Sequence, residues 1–244
     1  MNYAAVDAGG NAVVKVEVPA EWANIVVKEE EHTADAARPD FVKKIVDPIN
    51  ALKGDLLPVS AFNGREDGTW DNGTAAYEKR GIAVNVPEWK IGNCIQCNQC
   101  AYVCPHAVIR PFLATEEEAA ASGVEWKQGL GETKEYKFRI QISPMDCTGC
   151  SNCVDVCPAK DKALVMRPLE EQMPQQKNWD YITKNIGYKQ VVDKTKSVKN
   201  LQFAQPLFEF SGACAGCGET PYIKAISQLF GDKMMVANAT GCTS

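Results

Sequence analysis

Two runs of cysteines constrain the fold of this chain more than any other part of its sequence. In each run the four cysteines are separated by two, two and three residues, and a proline follows the fourth. The runs comprise Cys94, Cys97, Cys100 and Cys104 before Pro105, and Cys147, Cys150, Cys153 and Cys157 before Pro158. Thiols at this spacing curl a loop around a centre, with backbone N–H groups pointing inward, so each run predicts a metal site.

The repeated spacing is typical of bacterial ferredoxins, which bind two 4Fe–4S clusters. In that pattern the first three cysteines of a run bind one cluster and the fourth binds the other. The pattern therefore predicts one cluster on Cys94, Cys97, Cys100 and Cys157, and a second on Cys147, Cys150, Cys153 and Cys104. Such crossed ligation would lock the two halves together, so the module is expected to fold only with its clusters in place. Zinc is the weaker alternative, because structural zinc sites do not use this repeated four-cysteine run.

Composition narrows the class of protein. Eleven cysteines in 244 residues, with no basic and apolar leader after Met1, favour metal ligation over a secreted disulfide scaffold. The net charge of −5 argues against a nucleic-acid-binding surface, and no apolar run is long enough to span a membrane. We therefore expect a cytoplasmic protein that has neither nucleic acid nor a membrane as its partner.

Patterning divides the chain into four parts, with predicted boundaries at residues 1–86, 87–170, 171–205 and 206–244. Residues 171–205 have few large apolar side chains and are interpreted as a linker that wraps over a surface. Strands are predicted at 11–18, 136–143 and 233–237, and helices at 40–52 (interrupted by Pro48), 115–122 and 222–230. In the last helix Ile223, Ile226 and Phe230 lie on one face, and Gly231 ends the helix.

A third group of cysteines lies near the end of the sequence. Cys214 and Cys217 are followed by Gly218 and Glu219, and Cys242 returns after the predicted helix and strand. The pair alone could be a redox dithiol, half of a zinc site or two ligands of a further cluster. The return of Cys242 favours a metal centre.

The motifs together resemble those of the large single-chain pyruvate:ferredoxin (flavodoxin) oxidoreductases. The matching segments are CIQCNQCAYVCPHAVIRP, CTGCSNCVDVCPAK, FSGACAGCGETPY and NATGCTS, preceded by KGDLLPVSAF and GTAAYEKRGIAVNVPEW. The resemblance implies an α+β fold, with a bacterial-type 2×(4Fe–4S) ferredoxin-like domain, flanking segments and the truncated start of an α/β thiamine-diphosphate-binding domain. It also implies that Cys214, Cys217 and Cys242 hold a third 4Fe–4S cluster whose fourth ligand lies downstream, so that the chain is an internal fragment.

The resemblance further implies what the intact enzyme does. Such an enzyme, a homodimer in that family, converts pyruvate and coenzyme A to acetyl-CoA and CO₂ on thiamine diphosphate with Mg²⁺. Electrons leave singly through the clusters to ferredoxin or flavodoxin. Glu219 and Cys242 match positions that contact thiamine diphosphate, and no catalytic acid, base or nucleophile is predicted here. The fragment alone is expected to show no pyruvate-dependent reduction of a viologen dye.

A second interpretation comes from a different class of protein. The chain could be a stand-alone ferredoxin-type electron carrier, or an iron–sulfur subunit of another 2-oxoacid oxidoreductase. Residues 206–244 discriminate between this interpretation and the thiamine-dependent oxidoreductase, because a simple carrier has no need of the third cysteine group.

Overall fold

The structure, a computed structural model, describes residues 2–25, 38–237 and 239. It combines short helices with two small antiparallel sheets, which confirms the α+β class. The strands are β1 (Asn85–Trp89), β2 (Ile109–Ala114), β3 (Lys127–Gln128), β4 (Lys137–Ile142) and β5 (Leu164–Pro168). The α-helices are α1 (Asn2–Asn11), α2 (Asp47–Asn50), α3 (Gln99–Val103), α4 (Glu116–Ser122), α5 (Asn152–Asp155), α6 (Leu169–Gln172), α7 (Pro174–Asn185), α8 (Val198–Leu201) and α9 (Thr220–Phe230).

The two sheets interleave the halves of the ferredoxin-like region. In one sheet β1 pairs with β5, so that Asn85 lies opposite Pro168 and Trp89 opposite Leu164. In the other, β4 lies between β2 and β3, and both pairings are antiparallel. Each cysteine run follows one strand, contains a short helix, and leads into the next strand. The sequence repeat is therefore also a structural repeat. The β1–β5 pair and the β2–β4 pair each take one strand from each half.

The main hydrophobic core lies between these sheets and the cysteine runs. It includes Val86, Leu113, Phe138 and Leu164, each 1% exposed or less. Three cysteines, Cys104, Cys147 and Cys153, belong to the same buried cluster. The core is thus continuous with the thiol groups, and whatever occupies the cysteine loops also packs against the core.

The predicted linker contains the longest helix of the described chain. Within α7, Trp179 and Ile182 are buried, and they join Phe112 and Ile186 on the outer face of the second sheet. Trp179, Ile182 and Ile186 recur at helical spacing, which is the sequence pattern that could have revealed the helix. Interpreting residues 171–205 as a mere surface wrap missed this packing.

Helix α4 forms where the acidic, alanine-rich insert predicts it. Thr115 and Glu118 make a capping box, in which the Thr115 hydroxyl accepts from the Glu118 N–H and the Glu118 carboxylate accepts from the Thr115 N–H. The helix ends at Gly123, whose φ is +67°. The helix predicted at 40–52 is a π-helix over Val42–Val46 followed by α2, with Pro48 in the first turn of α2. Pro48 fits there because the first turn needs no donor from it.

Two predicted strands are wrong. Asn11 is the last residue of α1, and residues 12–18 follow it with exposed backbone. Val14 is 76% and Val16 75% exposed, and no described strand pairs with this segment. Residues 233–237 are also outside any described strand, and Met235 is fully exposed. Alternation and apolarity alone do not make a strand, because its backbone N–H and C=O groups need a neighbouring strand.

Helix α9 forms as predicted but turns its other face inward. The buried residues are Thr220, Pro221, Lys224, Ser227 and Gln228. Ile226 and Phe230 are 47% and 56% exposed, so the apolar face of the helix is the outer one. The buried polar groups reach backbone carbonyls of the ferredoxin-like region, as when Gln228 Nε2 donates to Ala204 O at 2.7 Å. In the described chain no helix is both long and apolar enough to cross a bilayer.

Candidate metal centres

The first cysteine cavity is the space lined by the sulfur-bearing side chains of Cys94, Cys97, Cys100 and Cys157. Three of these residues come from the first run and the fourth comes from the end of the second. Trp89, Ile140 and Leu164 complete its apolar wall. The structure therefore brings together the four residues predicted to share one cluster.

The second cysteine cavity is lined by the complementary set, Cys104, Cys147, Cys150 and Cys153. Its other walls include Pro87, Val108 and Met166. The crossing arises because each short helix, α3 or α5, directs the fourth cysteine of its run away from the first three.

Three cysteine loops share one unusual backbone turn. The residue two positions after the first cysteine has a positive φ in every case: Gln96 at 59°, Gly149 at 70° and Gly216 at 76°. In the first two loops the residue two positions later is left-handed as well, at Asn98 and Ser151. Alternating right- and left-handed residues point successive N–H groups into one concavity that suits an anionic group. The third loop shares the first of these turns.

Buried side chains hold the first loop in this conformation. Gln96 is 1% exposed and bridges two backbone groups, because its Nε2 donates to Gln128 O at 2.7 Å and its Oε1 accepts from Leu130 N at 3.0 Å. Asn98 is 2% exposed and donates to Lys199 O at 3.0 Å. The sequence analysis did not single out either residue, although both are polar side chains that stand between cysteines of the first run.

The donor set fits a cluster. Burial, reinforced by neighbouring thiols, raises the pKa of Cys100 and Cys153, and burial raises that of Cys147 to about 12. Such thiols ionise only when a strong cation offsets the lost hydration. Among the described residues no three Cys, His, Asp or Glu side chains converge closely enough for a single ion. A zinc ion needs its sulfur ligands at about 2.3 Å, whereas a four-iron cluster takes each thiolate on a different iron.

An orphaned donor supports the same fit. Trp89 lines the first cysteine cavity, and its buried indole Nε1–H has no hydrogen-bond partner among the described residues. A buried N–H without an acceptor is costly. A sulfide or thiolate sulfur in the cavity would be an acceptor, and such hydrogen bonds tune cluster potentials.

The third loop packs directly on the second cysteine cavity. A Cβ atom built on Gly216 would lie 3.6 Å from Cys150 Cβ. His106, 3% exposed, fastens the same loop, because its Nε2 lies 2.8 Å from Ala213 O and its Nδ1 faces the Thr148 hydroxyl at 3.4 Å. His106 is thus a buried hydrogen-bonding residue.

The remaining predicted site residues lie at the start of α9. Cys214 is exposed and Cys217 half-buried. The backbone N–H groups of Thr220 and Glu219 donate to the Cys217 sulfur and lower the pKa of its thiol. Glu219 is exposed and borders an open apolar groove with Leu207, Ile223 and Met234. Cys242, predicted both as a ligand and as a thiamine diphosphate contact, lies outside the described residues.

Comparison with known families agrees with this geometry. Residues 93–160 match the model of a 4Fe-4S dicluster domain, which contains both cysteine runs. Residues 27–83 match a family described as a domain of unknown function, EKR. The chain thus carries an iron–sulfur module of the two-cluster type.

Longer relatives match the whole chain. It is 52% identical over 246 residues to a pyruvate-flavodoxin oxidoreductase of Enterobacter agglomerans and 53% identical over 248 residues to a pyruvate:ferredoxin oxidoreductase of Moorella thermoacetica. A mitochondrial pyruvate dehydrogenase [NADP(+)] of Euglena gracilis is 46% identical over 249 residues. Each alignment covers 100% of this chain but only 20%, 21% and 13% of the relative, respectively. The whole chain is therefore homologous to a segment of the pyruvate:ferredoxin and pyruvate-flavodoxin oxidoreductases, and it spans about one fifth of their length.

Proposed function

We propose that this chain is the electron-transfer portion of a pyruvate:ferredoxin or pyruvate-flavodoxin oxidoreductase. Cys94, Cys97, Cys100 and Cys157 hold one 4Fe–4S cluster, and Cys104, Cys147, Cys150 and Cys153 hold the other. The observation that carries the proposal is the sorting of the eight cysteines into two cavities by the crossed pattern. When bound, such clusters accept and release single electrons.

The packing of the three loops supports an order for the relay. The loop of Cys214 and Cys217 lies beside Cys150 of the second cysteine cavity, since a Cβ atom built on Gly216 would be 3.6 Å from Cys150 Cβ. Helix α3 then joins Cys104 of the second cavity to Cys100 of the first. Cys214, Cys217 and Cys242 would hold a third cluster next to the second cavity, and clusters arranged in this order would supply a path for single electrons between the third loop and the first cavity. A stand-alone carrier offers no reason for the third loop to pack against the second cavity.

The whole enzyme extends beyond this chain. In it, pyruvate and coenzyme A would yield acetyl-CoA and CO₂, with two electrons passed singly to ferredoxin or flavodoxin. Thiamine diphosphate with Mg²⁺ would lie near Glu219 and Cys242, and the assembly would be a cytoplasmic homodimer. The relatives' names support the pyruvate substrate and the two acceptors.

Iron analysis tests the metal assignment. After anaerobic reconstitution, the duplicated runs should bind about eight irons with matching acid-labile sulfide and a brown 4Fe–4S spectrum. The variant with Cys214 and Cys217 both changed to Ser isolates the contribution of the duplicated runs. Stoichiometric zinc with iron near zero would contradict the proposal.

Paired substitutions test the crossing. In Cys97→Ser/Cys157→Ser both changes fall in the first cysteine cavity, so about four irons should remain in an intact second cluster. In the matched variant Cys97→Ser/Cys104→Ser one change falls in each cavity, so both clusters should be impaired. Uncrossed ligation predicts the reverse result for the two variants.

A further inference from the structure

Helix α9 inserts a lysine into the ferredoxin-like region. Lys224 is 2% exposed, and its ammonium donates hydrogen bonds to the carbonyl oxygens of Ala101 and, at 3.1 Å, Tyr102. Both carbonyls belong to α3. The lysine has no carboxylate partner among the hydrogen bonds and ion pairs of its surroundings in the described chain, which is unusual for a buried charge.

The position of α3 gives this charge its significance. The helix joins Cys100, which lines the first cysteine cavity, to Cys104, which lines the second. The guanidinium of Arg110 is a second cation near Lys224 and favours the neutral form of the lysine. Burial lowers the pKa of Lys224 to about 8, so the side chain is still mostly protonated at neutral pH. A buried cation therefore lies where the two cavities approach each other.

We infer that Lys224 is a positioning residue of the relay, whose buried ammonium raises the reduction potentials of the two clusters flanking α3. This inference rests on the proposed cluster binding. Reduction adds one negative charge to a cluster, and a nearby cation in a medium of low dielectric stabilises the reduced form more than the oxidised form. Because α9 begins at Thr220, three residues after Cys217, Lys224 also ties the third loop to the two-cluster module.

A plain structural role is the competing explanation, since Lys224 also caps the end of α3. Lys224→Gln separates the two roles, because glutamine keeps an N–H donor but removes the charge. Lys224→Arg keeps the charge, and Lys224→Met removes both charge and donor. Lys233→Gln is the matched control, because Lys233 is an exposed lysine just after the same helix.

The experiment is an EPR-monitored redox titration of the reconstituted protein, with iron content measured on every sample. The Gln and Met variants should shift the one-electron equilibrium of at least one flanking cluster about tenfold toward oxidation, which is about 59 mV more negative. The Arg variant and the Lys233→Gln control should match the parent protein.

Two results would overturn the inference. One is an unchanged potential in Lys224→Gln with full iron content. The other is an equal shift in the Arg and Gln variants, which would indicate disturbed packing. If Lys224→Met fails to assemble, the Gln and Arg variants decide alone. Absence of clusters from the parent protein would instead be a failure of the proposed function.

Discussion

Gln96, Gly149 and Gly216 occupy the same place in three cysteine loops, and their positive φ angles curl those loops. The free-energy cost of the left-handed conformation differs between glutamine and glycine. A left-handed conformation costs a non-glycine residue about 1–2 kcal/mol, so Gln96 depends on its buried hydrogen bonds to hold it. Glycine at the other two positions avoids this cost.

Gly149→Ala should weaken the second cysteine cavity. An added Cβ would meet Asn85 O at 2.9 Å, and φ is already +70°. We expect slower cluster assembly and loss of iron from that cavity, measured as iron retained after gel filtration. Gly216→Ala is the matched control, since its φ is +76° but its nearest neighbour lies 3.6 Å away. Equal loss from both variants would show that the contact with Asn85 is unimportant.

A buried ion pair links the second sheet to the segment before the third loop. The Arg110 guanidinium contacts the Glu209 carboxylate and the Tyr188 hydroxyl, and it donates to Ala107 O at 2.7 Å. The side chain of Arg110 is 5% exposed and that of Glu209 is 22% exposed. Removal of one partner from such a pair leaves a buried charge without compensation.

Glu209→Ala should therefore lower the free energy of unfolding by roughly 3 kcal/mol, the low end of the range for buried pairs because Glu209 keeps some contact with water. Anaerobic guanidinium denaturation measures the change. Glu17→Ala is the control, because its partner Lys15 and Glu17 itself are both more than four-fifths exposed. A shift of the midpoint no larger than that of the control would contradict the prediction.

At the scale of elements, α7 and α9 show what the sequence pattern can and cannot reveal. The spacing of Trp179, Ile182 and Ile186 contained the information for α7, but its high polar content hid it. For α9 the pattern predicts the helix but not its orientation, because Lys224 and Gln228 donate to backbone carbonyls that lie far away in the sequence. Orientation of a helix depends on its tertiary partner, which periodicity does not identify.

Ile182→Ala should destabilise the packing of α7 on the second sheet. Ile182 is fully buried beside Phe112, and truncation of such a side chain costs about 2–5 kcal/mol. The expected result is a lower denaturation midpoint with unchanged iron content, since α7 lines neither cysteine cavity. Lys184→Ala, at an exposed position of the same helix, should leave the midpoint unchanged. Loss of iron from Ile182→Ala would show that the packing of α7 and the binding of iron are not independent.

At the scale of the molecule, the cysteine runs alone predicted the ferredoxin-like fold. Their spacing fixes loop shape, and the structure places the eight thiols in the two groups that the pattern requires. Ligation itself stays a prediction. The regions outside residues 85–168 were harder, because their strands were predicted from alternation without knowledge of a pairing partner. Lys224, Gln96 and Asn98 have no short motif and become visible only in three dimensions.

Removal of iron should unfold the main core. Cys104, Cys147 and Cys153 are members of that core, so chelation replaces a bound cluster with buried thiols and an empty space. An iron chelator under anaerobic conditions should abolish the protection of β2 and β4 amides against hydrogen exchange. Without chelator, the double variant Cys214→Ser/Cys217→Ser should keep this protection, because neither residue belongs to the core. Persistent protection after complete iron loss would contradict the prediction.

The interleaving of the two halves makes this single chain resemble an obligate heterodimer. Each sheet pairs a strand that precedes Gly123 with a strand that follows it, and each cysteine cavity draws residues from both sides of the same point. Gly123 itself ends an exposed helix and has no atom within 4 Å of its added Cβ. Two polypeptides divided there would assemble by mass action, so their affinity for each other would depend on iron and on protein concentration.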